Sequence, residues 1–174
     1  MSVSFDRSRG LQMAIAGAVS GAVSQAIFDV DGDVQMLAPG IAFAVVLAVF
    51  LFRELDVRRR AIRIGAFAFI AVVAWYCAYL MFMQIGDLFD LPERVVLVIV
   101  GGIAGFTGCA LMMIGAAITL PGHYTLTTAL PVVVTGTVIG ALMIIYDTDG
   151  LGGYAFFMAW QGGVAAVFGG TFRP

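Results

Sequence analysis

Six long runs of apolar residues divide the chain, and all 20 charged side chains (9 basic and 11 acidic) lie outside them. A helix needs about 20 apolar residues to cross roughly 30 Å of hydrocarbon. Runs of this length, joined by short connections, predict an all-α integral membrane protein with six spans in a single bundle over residues 1–174. The predicted spans are 11–28, 36–52, 64–84, 95–119, 125–146 and 154–171.

The composition agrees with this pattern. The chain is 61% hydrophobic and 11% charged, with a mean hydropathy of +1.03, whereas about 25% charged residues is usual in soluble domains. The spans and their connections use almost all of the 174 residues. We therefore expect one transmembrane domain and no separate soluble one.

The segments between the runs alternate in the sign of their charge. The basic segments contain Arg7, Arg9, Arg53, Arg58, Arg59, Arg60, Arg63 and Arg173. The acidic segments contain Asp29, Asp31, Asp33, Asp87, Asp90, Glu93, Asp147 and Asp149, and Arg94 is the one base among them. Short loops rich in Lys or Arg stay in the cytoplasm. The pattern predicts a multi-pass protein of the cell's inner (plasma) membrane with both termini in the cytoplasm.

Candidate catalytic and metal-binding groups are scarce. No Asp, Glu, Lys, Arg or His lies deep in a predicted span, although proton relays and carriers of charged substrates use such groups, and hydrolases need a nucleophile beside a base. The two Asp-x-Asp-Gly turns, at 29–32 and 147–150, lack the Glu that ends a calcium-binding loop. We expect no enzymatic activity, no cofactor and no metal.

Large polar and aromatic residues concentrate in the outer half of the predicted membrane layer. They include Gln25, Trp75, Tyr79, Gln84, Trp160 and Gln161. One interpretation is an aromatic belt combined with interhelical amide hydrogen bonds. The other is a ligand-binding pocket that opens outward, in which apolar and aromatic walls carry a few amides that orient an uncharged ligand. The sequence leaves both open, and these six residues are the predicted binding site.

Small residues recur at a spacing of four in four of the spans. They include Gly17 and Gly21, Gly101 and Gly105, Gly136 and Gly140, and Gly162, Ala166 and Gly170. Such stripes let membrane helices approach closely, so we expect most of them to pack helices within the bundle. The face formed by Ala14, Ala18 and Ala22 is the predicted surface for a membrane protein partner or a second copy. The other expected partner is the lipid bilayer, and nucleic acid is not one.

In size, topology, outer-half polarity and its Ala-rich first helix, the chain resembles the substrate-binding subunits of energy-coupling-factor vitamin transporters. The resemblance implies that the Ala14, Ala18 and Ala22 face docks an energising partner. We expect binding or transport of an uncharged small solute through the outer-half pocket. The alternative is a non-catalytic structural or assembly subunit of a larger membrane complex.

Overall fold

The computed structural model describes residues 5–28, 36–56, 61–85, 88, 92–143 and 151–173. Six helices occupy these residues, and each coincides with one predicted span. They are α1 (Arg7–Phe28), α2 (Ala38–Glu54), α3 (Ala61–Ile85), α4 (Glu93–Thr119), α5 (Leu126–Ala141) and α6 (Leu151–Thr171). The prediction of six helices is confirmed, whereas both Asp-x-Asp-Gly turns and the bases at 58–60 lie outside the described residues.

Helix length separates the six into two groups. Four helices, α1, α3, α4 and α6, are long and apolar enough to cross a membrane. The apolar α5 has 16 residues and α2 has 17, so both are shorter than the roughly 20 residues that span a hydrocarbon layer. The apolar helices indicate a membrane protein, built in the described part of the chain as a helical bundle.

Consecutive helices pack side by side and antiparallel, and α1 closes the bundle by packing against α6. The antiparallel order of α1 and α6 is visible where Gly21 lies against Phe157, Gly17 against Gln161 and Gly10 against Ala166. We call the end that carries Arg9, Arg53 and Arg173 the basic end. The opposite end, where α1, α3 and α5 finish, is the acidic end.

Small residues form the contact between α1 and α6. A Cβ atom placed on Gly17 would overlap the Gln161 carbonyl, and one on Gly21 would overlap the Phe157 carbonyl. Only backbones without side chains at these positions can approach so closely, which is the usual role of such stripes in membranes. The predicted packing role of the α1 glycines is therefore confirmed.

The glycines of α4 and α5 interlock in the same way. Cβ atoms on Gly101 and Gly140 would each overlap the carbonyl oxygen of the other residue. One turn away, a Cβ on Gly105 would overlap the Gly136 carbonyl, and Gly136 also lies against the Cys109 side chain. The two helices are thus in backbone contact over two successive turns.

Aromatic side chains fill the bundle toward the basic end. Phe67 of α3 and Phe168 of α6 are fully buried and stack at 5.6 Å between ring centroids with 14° between their planes. Tyr124, in the α4–α5 connection, lies 4.7 Å from Phe168 and donates a hydrogen bond of 3.1 Å to the Phe168 carbonyl. Burial raises the pKa of the Tyr124 phenol well above its usual range, so this hydroxyl stays protonated. We call Phe67, Phe168 and Tyr124 the aromatic plug.

The Ala face of α1 lies at the edge of the α1–α6 contact. Ala14 and Ala18 are half-buried, and a Cβ on Gly162 would lie 3.1 Å from the Ala14 carbonyl oxygen and 3.4 Å from the Ala18 Cβ. The more exposed face of α1 consists of Leu11, Ile15, Val19 and Val23. Docking of a partner on the Ala face stays a prediction.

Candidate functional site

A cavity of about 190 Å³ lies among α3, α4, α5 and α6, toward the acidic end. Six aromatic rings from α3 and α6 and the small residues of α4 form most of its wall. The lining residues are Trp75, Ala78, Tyr79, Phe82, Met83, Gly101, Ala104, Gly105, Gly140, Met143, Phe156, Phe157 and Trp160. We call this space the aromatic cavity.

The helix positions explain why a space remains here. Gly101, Gly105 and Gly140 bring α4 and α5 into backbone contact and carry no side chains of their own. The facing wall therefore comes from α3 and α6. Their rings stand across from a nearly bare backbone, and the gap between the two walls is the cavity.

The α2 helix fixes the orientation of Trp75. The indole Nε1 of Trp75 donates a hydrogen bond of 2.8 Å to the Met36 carbonyl, just before α2 begins. Beneath the ring lies Gly40, where a Cβ atom would come within 2.9 Å of Trp75 Cδ1. A residue with any side chain at position 40 would push the indole from its place, so this glycine helps to shape the cavity wall.

Trp160 packs against two other rings. It lies 5.6 Å from Trp75, in an edge-to-face arrangement at 61°, and 5.8 Å from Phe43. Its exposed fraction is 6%. Edge-to-face pairs contribute about 0.5–1.5 kcal/mol beyond the area that they bury. The two tryptophans of the chain are thus both fixed in the cavity wall.

The structure brings three of the six predicted site residues together. Trp75, Tyr79 and Trp160 all line the aromatic cavity. Trp75 already uses its N–H in the bond to Met36. The other polar groups that these three rings carry are the Tyr79 hydroxyl and the Trp160 indole N–H.

Gln161 follows the cavity-lining Trp160 in the sequence, but its side chain lies at the contact among α1, α2 and α6. Its side chain is fully buried, and its Nε2 donates to Ser24 Oγ of α1 at 2.9 Å and to the Pro39 carbonyl of α2 at 3.4 Å. The Oε1 atom meets no hydrogen-bond donor among the described residues. This amide therefore joins α6 to α1 and α2 and does not line the cavity.

The other two glutamines of the predicted site, Gln25 and Gln84, lie apart from the cavity as well. Gln25 is buried on α1 and packs against Gly153 of α6. Gln84, near the end of α3, is exposed. The structure thus joins the predicted rings in one wall and places the three amides elsewhere.

Several residues that line the aromatic cavity were not predicted, because the sequence does not distinguish them from ordinary packing residues. They are Ala78, Phe82, Met83, Ala104, Met143, Phe156 and Phe157. Their types are those that fill any membrane bundle, and only the rotation of each helix decides which of them face the same space. No sequence signal could have separated them from residues that face lipid.

The chain matches no family model, no curated protein and no solved structure. The resemblance to vitamin-binding transporter subunits therefore rests on the general layout and the Ala-rich first helix alone. What the site can do has to be argued from its own chemistry.

Among the described residues that line the aromatic cavity there is no Asp, Glu, Lys, Arg or His, and the described part of the chain contains no cluster of His, Cys, Asp or Glu suited to a metal ion. An apolar cavity of about 150 Å³ stays dry and accepts benzene. A space of about 190 Å³ accordingly accommodates one ring or a short hydrocarbon chain. A larger ligand would place one such ring or hydrocarbon chain in the cavity.

Proposed function

We propose that this protein crosses the inner (plasma) membrane six times with both termini in the cytoplasm, and that it binds an uncharged, largely apolar small molecule in the aromatic cavity. The ligand enters from the outer side and is either held there or passed across. The observation that carries the proposal is a cavity walled by Trp75, Tyr79 and Trp160 at the end next to the acidic segments, which the charge pattern assigns to the outside.

The two ends of the bundle support one-sided binding. The aromatic cavity lies toward the acidic end, whereas the aromatic plug fills the space toward the basic end. A ligand in the cavity therefore meets packed rings on its way to the cytoplasmic side. Transport would require Phe168 or Tyr124 to move, whereas storage or sensing would not.

The wall chemistry limits the class of ligand. Indole and phenol rings bind other rings by stacking or edge-to-face contact, and an apolar wall penalises a charge strongly. The Tyr79 hydroxyl and the Trp160 N–H allow one hydrogen bond each to a ligand. The best-fitting ligand is a neutral ring with at most one or two polar atoms.

Tryptophan fluorescence provides a direct test, because both tryptophans of the chain line the cavity. The purified protein is titrated with neutral one-ring compounds that quench indole fluorescence, such as nitrobenzene and bromophenol, at constant detergent concentration. We expect saturable quenching by a compound that fits the cavity. Quenching that rises linearly with detergent partitioning and never saturates would contradict a defined site.

Filling the cavity supplies the matched control. Ala104 lines the cavity, whereas Ala117 lies on the same helix and is exposed. Ala104→Leu should abolish saturable quenching, and Ala117→Leu should preserve it. Equal binding by the two variants would place the site elsewhere. The absence of a saturable response in the wild type, across neutral compounds of this size, would favour the alternative of a structural or assembly subunit.

A further inference from the structure

A second depression, which we call the α1–α2 groove, lies between α1 and α2 toward the basic end. Its volume is about 180 Å³. Its floor and sides are apolar, and two polar side chains complete it. The lining residues are Gln12, Met13, Ala16, Val45, Val46, Val49, Phe50 and Arg53.

The groove runs along the helices. Val45, Val49 and Arg53 recur every fourth residue and so share one face of α2, and the eight steps from Val45 to Arg53 span about 12 Å of helix. Val45 and Val49 are 55% and 54% exposed, whereas Met13 and Phe50 are buried. The groove is therefore a narrow apolar channel with a buried floor and a side open to the surroundings of the bundle.

The polar groups of the groove include the cation Arg53, for which the described part of the chain supplies no counter-ion. Arg9, one turn before Met13, already pairs with Glu54 at 3.0 Å and with Asp6 at 3.6 Å. Arg53 is exposed and forms no ion pair with any residue that the structure describes. Because Arg9 occupies the neighbouring carboxylate, the guanidinium of Arg53 is left to bind an anion from outside the chain.

We propose that the α1–α2 groove binds an anionic phospholipid, with one acyl chain along Val45 and Val49 and the phosphate on Arg53 and Gln12. Guanidinium groups bind phosphate through two parallel hydrogen bonds, and an amide adds a further donor. The apolar channel ends at these groups, so one molecule with a hydrocarbon chain and a phosphate satisfies both. The site is separate from the aromatic cavity and does not depend on ligand binding there, although it rests on the proposed topology.

The charges favour an anionic lipid over a zwitterionic one. A choline or ethanolamine headgroup carries its own cation, which Arg53 repels, and the described residues that line the groove include no Asp or Glu to neutralise it. The adjacent Glu54 is engaged by Arg9. The cytoplasmic leaflet, to which the charge pattern assigns the basic end, is also the leaflet where anionic lipids attract basic residues.

Native mass spectrometry of the protein in mild detergent measures the affinities for phosphatidylglycerol and phosphatidylcholine with identical acyl chains. We expect the wild type to bind phosphatidylglycerol about tenfold more tightly, because choline places a second cation near the Arg53 guanidinium and glycerol does not. Arg53→Gln should abolish this preference. Arg63→Gln, which removes another exposed arginine at the same end, should retain it.

A second variant separates the groove from the headgroup. Val49→Trp fills the channel and should weaken binding of both lipids, with Ala16→Phe on the opposite wall as a substitute if the first does not fold. Four results would each overturn the proposal: equal affinity of the wild type for both lipids, equal losses in Arg53→Gln and Arg63→Gln, undiminished binding after the groove is filled, or full competition by glycerol phosphate, which has no acyl chain.

Discussion

The backbone of Gly101 on α4 rests directly on the backbone of Gly140 on α5, so that each residue occupies the space where a side chain of the other would lie. The contact is reciprocal and repeats one turn away at Gly105 and Gly136. It also sets the wall of the aromatic cavity, because Gly101, Gly105 and Gly140 line that space. Close packing and an open cavity thus have the same origin.

This contact predicts the effect of a larger residue. Gly140→Leu should lower the free energy of unfolding by about 1–3 kcal/mol or more, because the side chain must displace α4. Thermal unfolding in detergent, followed by circular dichroism, measures the loss. The control is Val138→Leu, at a position that is 59% exposed, which should leave the melting temperature within a degree or two of the wild type. Equal tolerance of the two leucines would contradict a packing role.

The buried amide of Gln161 gives a second prediction. Gln161→Leu removes the hydrogen bonds to Ser24 and to the Pro39 carbonyl and should cost about 1–3 kcal/mol of stability. Gln84→Leu, at an exposed position, should cost nothing measurable. Ligand quenching of the tryptophans should survive in Gln161→Leu where the protein remains folded. A loss of quenching without any loss of stability would mean that this amide contacts the ligand.

The buried phenol of Tyr124 should make the free energy of unfolding depend on pH. Burial raises the pKa of its phenol in the folded protein, so as the pH rises the unfolded chain loses this proton first, and the free energy of unfolding falls above about pH 10. Tyr124→Phe should cost about 0.5–1.5 kcal/mol at neutral pH through the lost bond to Phe168 and should make the alkaline decline shallower. Tyr76→Phe, at an exposed tyrosine, should leave the decline unchanged. A wild type whose stability is constant from pH 8 to 11 would contradict this prediction.

The orientation is tested by labelling single cysteines. Arg7 and Glu93 are exposed residues at opposite ends of the bundle. In intact cells an impermeant thiol reagent should label Glu93→Cys and should label Arg7→Cys only after lysis. The wild type, whose Cys77 and Cys109 lie within helices, serves as the blank. The reverse pattern would invert the topology.

The helices were predictable because apolar length and charge position are properties of each segment alone. The run 64–84 predicts α3 to within three residues at its start and one at its end, and 95–119 predicts α4 to within two at its start. A spacing of four between small residues is also a property of a single segment, so the glycine stripes of α1, α4 and α5 were correctly assigned to helix packing.

The site was predictable only in part, because it depends on how neighbouring helices rotate. Trp160 and Gln161 are adjacent in sequence, and about 100° of helix separates their side chains. Trp160 contacts Trp75 in the cavity wall, whereas Gln161 contacts Ser24. Their shared depth in the membrane was evident from the sequence. The direction in which each side chain points was not evident from the sequence. Buried residues cover most of the surface of α6, so its pattern does not mark a single inner face.

The pairing of α1 with α6 has a consequence for biogenesis. The glycines of α1 are built to meet Gln161, Phe157 and Ala165, yet the four intervening helices are synthesised before those residues exist. During that interval the narrow face of α1, including Ser20 and Ser24, has no α6 to cover it. The nascent chain must therefore leave this face of α1 free of its other helices, beside lipid or beside an insertion factor. It stays so until α6 has been made and packs against α1.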